Sequence, residues 1–183
     1  MTAVPPVTPP TTILVGWIGR VFWLRVEGKG TFLCSLQVKR AFQAVLQAGA
    51  RDLVVDLERC PIMDSTFLGT LTYAAIALRN RSGGSFSILN ANARNLQLLA
   101  DLGLNHVMQV DADGSAWPEE RRIACQLLAT CGESGEAGRQ EQARHVLEAH
   151  QSLSGLSTTN QQRFSDVIHF LEQEIHEPPR PAP

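Results

Sequence analysis

The apolar run DLVVDL at residues 52–57 limits the folds open to this chain more than any other segment does. So short and nearly continuous an apolar run is typical of a central strand that is covered on both faces. The segments before and after it have helical periodicity, with apolar residues three or four positions apart. Strands that alternate with helices in this way build parallel or mixed sheets, so the run predicts an α/β fold.

Further segments extend the same alternation. The segments 13–19 and 20–28 are rich in β-branched and aromatic residues and predict a β-hairpin. The periodicity then predicts a helix over 33–49, the strand at 52–57, a helix after residue 64, a strand at 85–89, a helix over 92–102 and a strand at 106–110. This order predicts a sandwich over residues 11–111, in which helices pack on a mixed sheet of four to five strands.

The C-terminal third has a helical pattern. Periodicity over 117–131 predicts one helix, and periodicity over 140–153 and 160–175 predicts a helical hairpin. We expect this helical extension to span 112–176, with disordered Pro-rich tails at 1–10 and 177–183. The apolar face of the hairpin must be buried against the sandwich, against a second copy in a homodimer or against a partner protein, and the sequence does not choose among these.

Composition argues against several classes of protein. The net charge of −2, without blocks of Lys or Arg, gives no footprint for nucleic acid. The four cysteines have neither close pairs nor a His at metal-ligand spacing, which predicts small buried thiols and no disulfide framework. No apolar run approaches the roughly 18 residues of a membrane helix, and we expect a cytoplasmic protein without membrane insertion.

Three adjacent polar residues, Asp64, Ser65 and Thr66, separate the central strand from the next helix in CPIMDSTFLGTL. Ser65 at the N-cap position would accept hydrogen bonds from first-turn amides, which is typically worth about 1 kcal/mol. Asp64 suits the positive end of the helix dipole. Thr66 has no such role, since its branched side chain is a modest helix former. Thr66 is therefore either part of a plain capping cluster or a modifiable hydroxyl.

This junction and the element order resemble the STAS domain of bacterial anti-sigma factor antagonists over about residues 13–110. The family pattern is an acid, Ser, then Ser or Thr, Gly, Leu and Gly. The matching residues here are Asp64, Ser65, Thr66, Leu68 and Gly69. Phe67 replaces the usual Gly and adds a bulky side chain beside Thr66. The resemblance implies that Thr66 is the phospho-acceptor, with Ser65 as the second choice.

A non-enzymatic protein-binding module is the function that the resemblance implies. In such a module the unmodified surface around Thr66 and Phe67 binds an anti-sigma factor that is also a serine kinase. Phosphorylation releases this partner, and a phosphatase restores binding. The alternative is a constitutive adaptor or scaffold subunit of a signalling or transport assembly, without phospho-regulation.

Other residues of the expected partner surface come from the same helix and from one loop. Thr70 and Tyr73 share the helix face of Thr66 and would extend the surface, unless they form an ordinary solvated face. Gly28 and Gly30 lie in a loop that contributes to partner binding in the family, although a plain turn explains both glycines equally well.

Catalytic and metal-binding functions have weaker support. A hydroxyl of the motif with Asp101 and His106 would supply the residue types of a hydrolase triad, but the Gly-x-Ser-x-Gly elbow is absent. Motifs for phosphate loops, dinucleotides and two-His zinc sites are absent as well. His145 and His150 are five positions apart, which misses the spacing that a metal favours on one helix face. We therefore expect no catalytic residue, no cofactor and no metal.

Overall fold

A six-stranded mixed sheet with helices on both faces forms the fold in the computed structural model, which describes residues 10–80, 84–132, 135 and 137–176. The strands are β1 (Thr12–Ile18), β2 (Val21–Glu27), β3 (Asp52–Arg59), β4 (Ser85–Leu89), β5 (Gln109–Val110) and β6 (Ala129–Thr130). The helices are α1 (Phe32–Gln47), α2 (Ser65–Arg79), α3 (Ala93–Asp101), α4 (Pro118–Leu127), α5 (Arg139–Ser154) and α6 (Thr158–His176).

The strand order across the sheet is β5-β4-β3-β2-β1-β6. β1 and β2 form the predicted antiparallel hairpin, and β2, β3, β4 and β5 run parallel. The helices α1, α2 and α3 connect successive parallel strands, as parallel pairing requires. The predicted α/β fold with a mixed sheet is confirmed.

Two segments differ from the sequence prediction. The helix predicted over 117–131 ends at Leu127, and Ala129–Thr130 forms a sixth strand antiparallel to β1. This pairing satisfies backbone groups on what would otherwise be an open sheet edge. The strand predicted at 106–110 is only Gln109–Val110, because Leu104–His106 form a turn of 3₁₀ helix.

Strand β3 is covered on both faces, as its apolar sequence predicts. Leu53 and Val55 face the main core with α1, α2 and α3, whereas Val54 faces a smaller cluster with Trp23 and Ala124 of α4. All three β3 side chains are 0% exposed. Successive strand residues point to opposite faces, so a strand between two helical layers is mainly apolar. The buried Asp56 of β3 is paired with Arg25.

The C-terminal hairpin packs on the sandwich, which answers the question that the sequence left open. Helix α5 lies against α2, and α6 packs on α5. Leu153 and Phe164 join the main core. The Nδ2 of Asn160, which is 1% exposed, donates hydrogen bonds to the carbonyl oxygens of Leu102 at 2.9 Å and Leu153 at 3.1 Å. The bond to Leu102 attaches the hairpin connection to the end of α3.

The cysteines are free thiols, but they are not all buried. Cys34 and Cys60 are buried as predicted, whereas Cys125 is exposed on α4 and Cys131 is half-buried. The expectation for Cys125 is wrong because α4 packs on the sheet mainly through Ala124. In the described part of the chain, no helix is long and apolar enough to span a membrane. The tails predicted to be disordered lie outside the described residues, except for Pro10.

Candidate functional site at the N-terminus of helix α2

Asp64 caps the starts of two helices. Its backbone is extended, and its Oδ1 accepts a hydrogen bond from the N–H of Phe67 at 2.8 Å. Its Oδ2 accepts from the N–H of Phe32, the first residue of α1, also at 2.8 Å. Asp64 is therefore the N-cap, and the prediction that Ser65 caps α2 is wrong. Ser65 is already the first helical residue, so its hydroxyl is available for other contacts.

The loop before α1, which contains Gly28 and Gly30, is hydrogen-bonded to the segment that leads into α2. Gly30 donates to the carbonyl of Ile62 at 3.0 Å, and its own carbonyl accepts from the N–H of Asp64 at 2.9 Å. A Cβ at Gly30 would stand 2.9 Å from the Phe67 ring. Gly28 has a left-handed backbone, with φ of 109°. Gly30 is buried and Gly28 half-buried, so both help to build the loop that holds α2.

The side chains of the expected partner surface differ in exposure. Ser65 is half-buried, whereas Thr66 is 6% exposed. Thr70 is 1% exposed, and its Oγ1 donates to the carbonyl of Thr66 at 2.9 Å. Phe67, which we expected at the surface, is 0% exposed and belongs to the main core, as Leu68 also does. The hydroxyl face of α2 is therefore covered, and the cover is α5.

His150 on α5 contacts Ser65. Its Nδ1 lies 2.8 Å from the carbonyl oxygen of Val146, and its Nε2 lies 3.0 Å from the Ser65 Oγ. A carbonyl oxygen only accepts hydrogen bonds, so Nδ1 carries the proton and Nε2 accepts from the Ser65 hydroxyl. The ring of Phe164 on α6 packs edge-on against the imidazole, with ring centroids 5.5 Å apart. The imidazole that contacts the Asp64–Thr66 motif is thus on α5.

His145 contacts hydroxyls one and a half turns earlier on α5. Its Nε2 lies 2.8 Å from the Ser35 Oγ of α1 and 3.4 Å from the Thr70 Oγ1. Both hydroxyls donate to backbone carbonyls, so Nε2–H is the donor and Nδ1 keeps a lone pair. This Nδ1 is buried and has no hydrogen-bond partner within the described structure.

The electrostatics of His145 follow from this position. Burial lowers the pKa of its imidazole to about 4, because the charged form loses its hydration. The Lys39 ammonium lowers the pKa in the same direction, while the carboxylates of Glu148 and Glu141 oppose it. His145 is therefore neutral when α5 is docked at neutral pH.

Gly69 is the point where α5 crosses α2. A Cβ at Gly69 would stand 2.5 Å from the carbonyl carbon of Ala149 and closer still to its oxygen. The contacts pair Ser65 with His150 and Thr70 with His145, so residue numbers rise along α2 as they fall along α5. The two helices are therefore antiparallel, and only glycine permits their approach at this crossing.

Ion pairs border the interface between α5 and α1. Lys39 pairs with Glu148 and lies 5.5 Å from the centroid of the Tyr73 ring. Arg40 pairs with Glu141. Tyr73 is half-buried beside these groups. Among the described residues, no group of three or more His, Cys, Asp or Glu could hold a metal ion. The site offers hydroxyls, imidazoles and a helix N-terminus.

Comparisons with known proteins agree with this architecture. The crystal structure of an anti-sigma factor antagonist from Mycobacterium paratuberculosis matches with a TM-score of 0.54 and 18% identity, over 66% of this chain and 99% of that one. A candidate anti-sigma factor antagonist from Thermotoga maritima matches with a TM-score of 0.52 and 21% identity, over 59% of this chain and 93% of that one. At such identities the likeness establishes the fold alone.

The sequence itself carries the family assignment. No curated protein matches the chain significantly. A family model described as "Mlab, STAS domain" matches residues 14–110. This match covers more than half of the 183 residues and includes the β2–α1–β3–α2 unit that builds the site. The chain therefore belongs to the STAS domain family.

Proposed function

We propose that this protein is an anti-sigma factor antagonist that acts by partner switching, with the N-terminus of α2 as its docking site. The observation that carries the proposal is the Asp64 carboxylate, which caps α1 and α2 together and sets Ser65 and Thr66 at the positive end of α2. The partner is an anti-sigma factor with serine kinase activity, and a phosphatase reverses the modification. The protein itself is a binding module.

The two hydroxyls of the motif differ in access. Thr66, which the resemblance favours as the acceptor, is 6% exposed and needs α5 to move before a kinase can reach it. Ser65 is half-buried, and its hydroxyl points to His150. We therefore propose phosphorylation at this pair, with Ser65 as the more accessible acceptor and Thr66 as the other.

A phosphate at this position would change docking more than folding. It would add about −1.5 to −2 charge at the N-terminus of α2, where the helix dipole favours an anion. It would also lie beside the Asp64 carboxylate. Acidic groups of a partner would be repelled, and burial of the dianion in an interface would cost desolvation energy. Phosphorylation is therefore expected to release the partner.

Mass spectrometry of protein isolated from its native cells tests this function. We expect a phosphorylated peptide that contains Ser65 and Thr66, with loss of the phosphate in either Ser65→Ala or Thr66→Ala. In pulldowns, a Glu at the acceptor should remove the kinase partner, whereas Ser165→Glu on the exposed face of α6 should retain it. Absence of phosphate under every growth condition, with identical partners for all variants, would refute partner switching.

A constitutive adaptor is the second candidate function. The burial of Thr66 and Thr70 under α5 favours it, because a permanently covered face needs no modification to remain unavailable. An adaptor would keep the same partners with Glu at position 65 or 66, and would bind them through a surface other than α2. The same pulldowns therefore separate the two functions.

A further inference from the structure

Helix α5 occupies the part of the surface that the proposed function requires. Its residues His150, Ala149 and His145 lie over Ser65, Gly69 and Thr70. We propose that the α5–α6 hairpin is an intramolecular occupant of the docking face of α2, and that it leaves this face before a partner or modifying enzyme binds. This inference rests on the proposed function, to which it adds a regulatory step.

The chemistry of the interface suits a contact that opens. Beside the apolar side chains Leu153 and Phe164, which join the main core, the interface contains two imidazole–hydroxyl hydrogen bonds and two ion pairs at its rim, Lys39–Glu148 and Arg40–Glu141. The buried Nδ1 of His145 has no partner there, and an unsatisfied polar atom lowers the stability of the docked state. Interfaces within a chain that include such polar contacts separate more readily than a wholly apolar core does.

The family match does not include the hairpin. The two solved structures match along 93% and 99% of their own chains, but along only 59% and 66% of this one. Between about a third and two fifths of this chain therefore has no counterpart in these folds. The family match itself ends at residue 110, before α5 begins at Arg139. Undocking of α5–α6 would thus leave the elements of the STAS fold in place, with the α2 face uncovered and the core contacts of Leu153 and Phe164 lost.

The close approach at Gly69 restricts which helices could replace α5 on the docking face. Only a helix with a small residue at the crossing, as α5 has at Ala149, can approach α2 this closely. A side chain that accepts a hydrogen bond beside Ser65 would replace the contact that His150 makes. A partner helix with these two features would reproduce the contacts of α5 on the same face.

Gly69→Ala in the full chain is the direct test. The added methyl group would collide with the backbone of Ala149, whereas Gly155→Ala at the end of α5 meets its nearest neighbour at an ordinary 3.5 Å and serves as the control. Peptide-resolved hydrogen exchange should increase at least tenfold in α5 and α6 of Gly69→Ala and stay unchanged in β3 and β4. The control should exchange as the wild type does.

A chemical probe reports access to the docking face itself. Ser65→Cys is alkylated with N-ethylmaleimide, and the peptide that contains position 65 is followed by mass spectrometry. The rate should increase at least tenfold when Gly69→Ala is added, but not when Gly155→Ala is added. Asn160→Ala removes the hydrogen bond from the hairpin connection to the Leu102 carbonyl and a second bond within the hairpin, to the Leu153 carbonyl, so it should increase the same rate without a substitution in α2.

The results separate this inference from the proposed function. Unchanged alkylation and exchange rates in both Gly69→Ala and Asn160→Ala would refute the proposal that the hairpin is a removable cover of α2. Exchange that increases equally in α5, β3 and β4 would also overturn it, because the hairpin would then open only with the whole domain. If Gly69→Ala does not fold, the alkylation and exchange rates of Asn160→Ala test the proposal in its place. No partner or phosphate enters these measurements, so a missing phosphate refutes the switch alone.

Discussion

Replacement of Asp64 by Ala tests whether one carboxylate holds the site together. Loss of an N-cap side chain costs about 0.5–2 kcal/mol. The second bond, to the Phe32 N–H at 2.8 Å, is charge-assisted and adds about 1 kcal/mol at its partly exposed position. The free energy of unfolding should therefore decrease by about 1.5–3 kcal/mol. Urea denaturation followed by circular dichroism measures this decrease as a lower midpoint with an unchanged slope.

Two comparison variants make the Asp64 result specific. Asp64→Asn keeps one carbonyl oxygen for the Phe67 N–H but turns an amide NH₂ toward the other donor, so about half of the loss should remain. Asp166→Ala removes an exposed carboxylate on α6 and should change stability by less than about 0.5 kcal/mol. A loss below about 0.5 kcal/mol for Asp64→Ala would refute the bridging role.

Three further predictions follow from the packing around α2. Acidification from pH 6.5 to 4 should lower the free energy of unfolding by up to about 3 kcal/mol. In the unfolded chain His145 takes up a proton near its ordinary pKa of 6.5, whereas in the folded protein its pKa is about 4, so acid favours the unfolded state. The denaturation midpoint of His145→Gln should depend less on pH over this range than that of the wild type. An equal dependence on pH in both proteins would contradict the lowered pKa of His145. Gly30→Ala should lower the free energy of unfolding by about 1–3 kcal/mol through collision with the core, whereas Gly132→Ala, with nothing near its Cβ, should be neutral in the same titration. Ser65→Ala should weaken hairpin docking by about 1 kcal/mol, since His150 loses its donor, and hydrogen exchange in α5 that remains at the wild-type rate would argue against this bond.

The sequence predicts the elements that depend on local pattern. The DLVVDL run identified β3 as covered on both faces, and β4 was predicted with its observed bounds. Local pattern also located the junction at Asp64–Thr66. It misassigned the cap because Asp and Ser are nearly equal as N-caps, and only the helix start at Ser65 decides between them.

What local pattern did not reveal are contacts between distant segments. Ser65 meets His150 across 85 positions and Ser35 meets His145 across 110, and no periodicity within one helix encodes either pair. The sequence pattern assigns the residues of β6 to the end of a helix, because two residues are too few to show the alternation of a strand. Its pairing with β1 depends on an edge that exists only in the folded sheet.

The short strand β6 also determines how strongly a partner must bind. It is paired to β1 at Thr130, and α5 begins at Arg139, so the hairpin remains tethered beside its own docking face even when it is undocked. A tether of this length gives an effective local concentration on the order of millimolar. A free partner at micromolar concentration therefore competes against a ligand about a thousandfold more concentrated. Its apparent affinity is its intrinsic affinity multiplied by the fraction of molecules in which the hairpin is undocked. The threshold for switching is then set by the length and attachment of this tether as well as by the partner.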